Sequence, residues 1–130
     1  MYGRIVAFVA VLLSVLAFAG TAQAAPEHHR ATVLVLSAQY SDVEDNAFKA
    51  TVLTCGAGDQ HPRGALACAT LASAGTELEA MTPDGRACTF LYAPVRVSMF
   101  GIWRGVPVNE EHTYPNSCVM LAHTGALFDF

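Results

Sequence analysis

Four cysteines, Cys55, Cys68, Cys88 and Cys118, constrain this 130-residue chain more than any other feature. Their oxidation state depends on where the chain is sent, and the N-terminus bears on that. Met1-Tyr2-Gly3-Arg4 carries a positive charge, an apolar run from Ile5 to Ala19 follows, interrupted only by Ser14, and Ala22-Gln23-Ala24 has the small-x-small form of a cleavage site. That order is the pattern of a secretory signal. The run is shorter than the roughly 20 apolar residues that span a bilayer. Residues 1–24 are therefore expected to be a signal peptide, and the mature chain to be secreted, extracellular and free of the membrane. An even cysteine count in a small exported domain points to two disulfides. Three pairings are possible, and the most local joins Cys55 to Cys68 and Cys88 to Cys118. Each bridge would contribute about 2–4 kcal/mol, a large share of the roughly 5–15 kcal/mol that holds a domain folded. The spacings contain no Cys-x-x-Cys knuckle, which argues against zinc.

Residues 25–130 have the length of one domain. The leader contributes Arg4 and no acid, so the mature chain carries 6 basic against 11 acidic residues. A mildly acidic domain has no electrostatic reason to seek nucleic acid or an anionic membrane. Residues 25–30 read as a flexible polar tail and 31–130 as the folded domain. Ala31 to Ser37 and Ala50 to Cys55 have strand character, with an acidic turn at Asp42 to Asn46 between them. From Arg63, the positions Ala65, Cys68, Ala69, Leu71 and Ala72 recur at helical spacing, and Gly75 reads as the stop. Thr76 and Glu79 have capping-box spacing ahead of Leu78 and Met81, and Thr82-Pro83-Asp84-Gly85 is a turn. Val95, Val97 and Met99 alternate with Arg96 and Ser98, which predicts a strand reversing at Phe100-Gly101 and returning from Ile102 to Val108. Cys118 to His123 is read as a short helix and Ala126 to Phe130 as a terminal strand. Four or five strands in mostly antiparallel order with one main helix make an α+β domain.

Reactive chemistry is sparse. His28, His29, His61, His112 and His123 stand at no metal-ligand spacing, and no Gly-x-Ser-x-Gly elbow is present. Oxidised cysteines leave no thiol nucleophile. Glu110-Glu111 reads as a hydrated edge and Trp103 as core or a half-buried face. The chain is therefore expected to be no enzyme and to need no metal or cofactor.

One segment stands out: Arg86-Ala87-Cys88-Thr89-Phe90-Leu91-Tyr92-Ala93-Pro94. Composition alone reads its apolar centre as a buried strand. The chain from Thr54 onward, however, resembles the Streptomyces subtilisin inhibitor family. The resemblance is carried by Leu53-Thr54-Cys55, His61-Pro62, Ala67-Cys68 with Leu71, Cys88 through Val95, Gly101-Ile102-Trp103-Arg104-Gly105, Asn116-Ser117-Cys118, Ala122-His123 and Phe128-Asp129-Phe130. It covers about the last 80 residues. It implies the pairing Cys55–Cys68 and Cys88–Cys118, a five-stranded antiparallel sheet with two helices packed on it, and a homodimer formed through the sheet.

The same resemblance implies a substrate-like inhibitor of subtilisin-like or chymotrypsin-like serine proteases. Its reactive bond would be Phe90–Leu91, with Phe90 as P1 and Leu91 as P1′. Ala87, Cys88, Thr89 and Tyr92 would complete the protease-contacting loop, and Asn116 and Pro94 would support it. Departures from the family pattern are Thr89 where proline is common at P2, Phe90 where a basic residue or methionine is common, a small Ala87 at P4, and Ala93 where an acidic residue is common. The Cys55–Cys68 loop is also short. Phe90 points to an enzyme with an apolar pocket rather than to trypsin. The competing reading is a secreted binding or structural module of the same fold without inhibitory activity.

Overall fold

The structure is a computed structural model and describes residues 30–41 and 47–130. The expected signal peptide, the expected tail apart from Arg30, and the turn expected at Asp42–Asn46 lie outside the described residues.

Four strands form one antiparallel sheet: β1 (Val33–Tyr40), β2 (Phe48–Leu53), β3 (Val95–Trp103) and β4 (Val106–Tyr114), in the order β2-β1-β3-β4. Period-two alternation sets its inner face. Leu34, Leu36 and Ala38 of β1 point inward beside Val95, Val97 and Met99 of β3, and all six are buried. Register keeps like with like, since Leu34 pairs with Leu53 and Leu36 with Met99. Helix α1 (Gly64–Ala74) contributes Ala67 and Leu71 to the same core, and helix α2 (Ser117–Thr124) contributes Met120. Complete burial of a leucine or methionine side chain is worth about 1.5–3 kcal/mol, so this cluster is the main apolar contribution to stability. The expected helical face is narrower than its alanines suggested: Ala65, Ala69 and Ala72 are exposed. Gly75 does end α1, with φ 82° and its N–H on Leu71 O.

Four expectations are corrected. Among the described residues the sheet has four strands rather than five. Ala126, Leu127 and Phe128 are buried consecutively, which a strand with one solvent face cannot achieve, and the segment is instead held by turn bonds from Leu127 N–H to Thr124 O and Asp129 N–H to Ala126 O. The β3–β4 hairpin reverses at Arg104-Gly105, with φ 48° and 81°, rather than at Phe100-Gly101. Two central residues with positive φ suit the right-handed twist of a two-residue hairpin. Gly101 lies inside β3 because β1 passes so close that a Cβ there would meet Val33 O at 2.1 Å. Thr76 makes no cap: Glu77 precedes a single 3₁₀ turn at Leu78–Ala80, without a side-chain cap bond. Leu78 and Met81 are nevertheless buried, as an apolar pair anchoring that turn.

The outer face of the sheet is mixed, with exposed apolar side chains beside the Arg96–Glu111 ion pair. Val33, Val35, Phe48, Phe100 and Ile102 are 42–64% exposed, and Val33–Ile102 and Val35–Phe100 are paired neighbours on it.

Candidate functional site

Between the 3₁₀ turn and β3 the chain runs from Thr82 to Pro94 with no regular secondary structure. The apolar centre that composition reads as a buried strand lies on the outside. Phe90 is fully exposed, at 105% of its reference area, and Leu91 and Tyr92 are 68% and 76% exposed. Ala87 and Thr89 are exposed as well, and Cys88 is half-buried. An aromatic side chain left wholly in water forgoes about 1.5–3 kcal/mol of burial, so packing alone does not explain its position.

The segment is nonetheless tied down along its length, and most of the ties lead to α2 and the residues just before it. His123 Nδ1 donates to Met81 O at 2.7 Å, because a carbonyl can only accept. Asp84 N–H donates to Ala122 O at 2.9 Å. The Cys88–Cys118 disulfide follows, with Cα atoms 5.7 Å apart. Ala93 N–H then reaches Pro115 O at 2.9 Å, and Ser41 N–H reaches Pro94 O at 3.0 Å. As the segment advances from 81 to 93, its α2-side partners retreat from 123 to 115. The two run antiparallel and are pinned at intervals.

Asn116 holds the exposed tip. Its Nδ2 donates to Thr89 O at 3.2 Å and to Leu91 O at 2.9 Å, the carbonyls on either side of Phe90. Its Oδ1 accepts the N–H of Val119 at 2.9 Å, which makes Asn116 the N-cap of α2. The cap fixes which end of the amide faces the segment, and it is worth about 1 kcal/mol to the helix. Asn116 is 6% exposed, so its bonds act away from competing water. One buried amide thus serves both as a helix cap and as a strut for the segment.

The second disulfide, Cys55–Cys68, ties the end of β2 to α1. The turn between them folds around Asp59, whose carboxylate accepts N–H bonds from Thr54, Cys55 and His61. His61 is buried with both ring nitrogens engaged: Nδ1 accepts from Arg63 N–H, and Nε2 donates to Leu127 O at 3.0 Å. Neither feature touches the exposed segment. Nearby, the Tyr114 ring makes tilted contacts with those of His112 and His123 and its hydroxyl reaches Leu78 O. Burial pushes that phenol above its ordinary pKa. Among the described residues no cluster of His, Cys, Asp or Glu could hold a metal ion.

The structure thus brings Cys88, Thr89, Phe90, Leu91 and Asn116 together, and Pro94 takes part through its carbonyl. Sequence reasoning missed His123, Asp84 and Pro115 as anchors. Asp84 was visible only as a turn residue, and nothing in the local pattern relates it to Ala122, 38 positions later.

Comparison with known proteins bears directly on this arrangement. The family model described as subtilisin inhibitor-like matches residues 30–116. The chain is 43% identical over 86 residues to a subtilase-type protease inhibitor of Streptomyces fradiae, a match covering 63% of this chain and 61% of that relative. It is 36% identical over 107 residues to subtilisin inhibitor-like protein 7 of Streptomyces ambofaciens, covering 78% of this chain and 98% of the relative. Its fold matches the structure of Streptomyces caespitosus sermetstatin in complex with Bacillus licheniformis subtilisin, with a TM-score of 0.58 and 26% identity, over 77% of this chain and 99% of that one. By the extent of that family match, together with the disulfide-braced exposed segment, this chain belongs to the subtilisin inhibitor-like family.

Proposed function

We propose that this chain is a secreted, substrate-like inhibitor of subtilisin-class serine proteases, with Phe90–Leu91 as its reactive bond. The observation that carries the reading is Phe90 itself, an aromatic side chain entirely in solvent on a segment whose backbone is pinned on both sides. Burial in a protease pocket would supply the contact the fold withholds. Because Asn116 and the Cys88–Cys118 bridge hold the segment before any enzyme arrives, little ordering cost remains to be met on binding. Should the bond be attacked, both new ends stay near one another, since Cys88 lies before the scission and its partner Cys118 after it. The amine then remains at high effective concentration, and religation competes with hydrolysis. An interface of this type buries about 1,600 Å² in total. The N-terminal leader pattern supports export, with cleavage after Ala24. Titration of purified subtilisin with the mature chain is expected to give a stoichiometric end point and tight inhibition. Absence of inhibition at micromolar excess would refute the reading.

The outer sheet face supports a homodimer. Five exposed apolar side chains on one face match the requirement for packing two sheets about 10 Å apart, and a second copy presents the same chemistry. Light scattering on the mature chain is expected to give twice the monomer mass. Phe100→Glu, which sets a charge at the centre of that face, is expected to give the monomer mass with the fold intact. A wild-type monomer at micromolar concentration would contradict the dimer.

A further inference from the structure

The exposed segment from Thr82 to Pro94 contains one basic residue, Arg86. An arginine on an accessible irregular segment is what a trypsin-class protease seeks, because the acid in its S1 pocket pairs with the guanidinium. Arg86 is not offered in that form. Its Nε donates to Asp84 Oδ1 at 3.1 Å and to Oδ2 at 2.9 Å, and its Nη2 donates to Oδ2 at 2.6 Å. Its backbone N–H donates to Asp84 Oδ1 at 3.0 Å. Asp84 is itself fixed, through its N–H on Ala122 O in α2.

We propose that Asp84 guards Arg86, keeping the Arg86–Ala87 bond from serving trypsin-class proteases as a destructive cleavage site beside Phe90. Two things such a protease must grasp are already taken. The guanidinium is held in a planar, bidentate pair. The N–H that a substrate donates when it lies as an added strand against its enzyme is bonded to the same carboxylate. The hydrogen bonds from Arg86 hold the Asp84 carboxyl below its usual range, and Asp84 raises the Arg86 guanidinium above its own, so both stay charged where proteases work. Exposed ion pairs are individually weak. This one spans only two residues, so closing it orders little chain, and a single carboxylate takes three N–H groups.

The reaction prevented is ordinary hydrolysis. Water adds across the Arg86–Ala87 amide, giving a carboxylate on Arg86 and an amine on Ala87. That cut would sever the N-terminal side of Phe90 from the anchors at Met81 and Asp84, leaving it held by Cys88–Cys118 and Asn116 alone. The inference rests on reading this segment as the face offered to proteases, but its test does not use inhibition.

Asp84→Ala and the wild-type mature chain are digested with trypsin, and the two bonds Arg86–Ala87 and Arg104–Gly105 are followed by mass spectrometry in the same sample. Arg104 lies in the exposed β3–β4 turn and serves as the internal reference. A bond cut only from the released state is slowed in proportion to the released fraction. Cleavage at Arg86–Ala87 relative to Arg104–Gly105 is therefore expected to rise about twofold to fivefold in the variant, with a smaller rise in Asp84→Asn, which keeps an acceptor but loses the charge. An unchanged ratio in Asp84→Ala overturns the proposal. So does a parallel rise at both bonds, which would mean that Asp84 merely maintains the fold. A selective rise in a chain that fails to inhibit subtilisin keeps the guard and refutes the inhibitor reading, so the two can fail separately.

Discussion

Phe90→Lys is expected to weaken inhibition of subtilisin and chymotrypsin by roughly 10- to 150-fold from lost apolar burial alone, and to create inhibition of trypsin. The argument follows from exposure. Phe90 makes no packing contribution to the domain, being 105% exposed, so the substitution leaves the fold and its pinned backbone in place. What changes is the group delivered to the pocket. An apolar pocket loses the aromatic contact and must accept an unpaired ammonium, which adds a desolvation cost to the lost burial. A pocket with an acid at its base gains a partner for that ammonium. Inhibition constants against subtilisin, chymotrypsin and trypsin, measured for both proteins, check the reversal. If the profile is the same in both, Phe90 is not the residue that enters the pocket. Unchanged thermal unfolding of the variant would show that the effect belongs to the interface.

Removal of the second disulfide, as Cys88→Ser with Cys118→Ser, is expected to convert a lasting inhibitor into a slowly consumed substrate. The bridge closes a loop with a sequence separation of 30. Loop-closure entropy assigns such a bridge about 3.5 kcal/mol of stability, so unfolding is expected well below the wild-type temperature. The functional effect has a separate origin. Scission at Phe90–Leu91 leaves residues up to 90 and residues from 91 joined covalently only through Cys88–Cys118, since Cys55 and Cys68 lie on the same side. Without that bridge the two ends are held only by non-covalent contacts such as Asn116 to Thr89 O and Leu91 O, so they separate more readily and hydrolysis gains on religation. Time courses with subtilisin are expected to show initial inhibition, then recovery of activity as fragments accumulate. Permanent inhibition by the variant, kept at a temperature where it is folded, would contradict the tether. Asn116→Ala helps to separate the two supports, because it keeps the covalent tether and removes the bonds to Thr89 O and Leu91 O.

Much of the scaffold was legible from local pattern. Alternation at Val95, Val97 and Met99 marked an inner strand face, Gly75 marked a helix end, and the local cysteine pairing was among the three open choices. Pattern failed where a residue's role depends on a distant neighbour. Gly101 resembles a turn glycine, yet it is a strand residue that leaves room for the carbonyl of Val33. Leu127 and Phe128 resemble a strand, yet they fill the core from a turn closed by Thr124 and Ala126. Arg104-Gly105, with a non-glycine residue at positive φ, carries little turn signal but makes the reversal.

The exposed segment divides in the same way. Its cysteine, its three apolar residues and its proline are written in the sequence, and resemblance alone attached a role to them. Composition read the same residues as a buried strand, because hydrophobicity reports which side chains gain from burial and not which ones the fold admits. The tertiary structure decided that Phe90 stays in water, by bringing α2 antiparallel to the segment so that Asn116, Cys118, Ala122 and His123 hold its backbone. Those partners are 25 to 42 residues from the groups they grip. Such separations leave no periodicity for a sequence to display, and only the folded chain closes them.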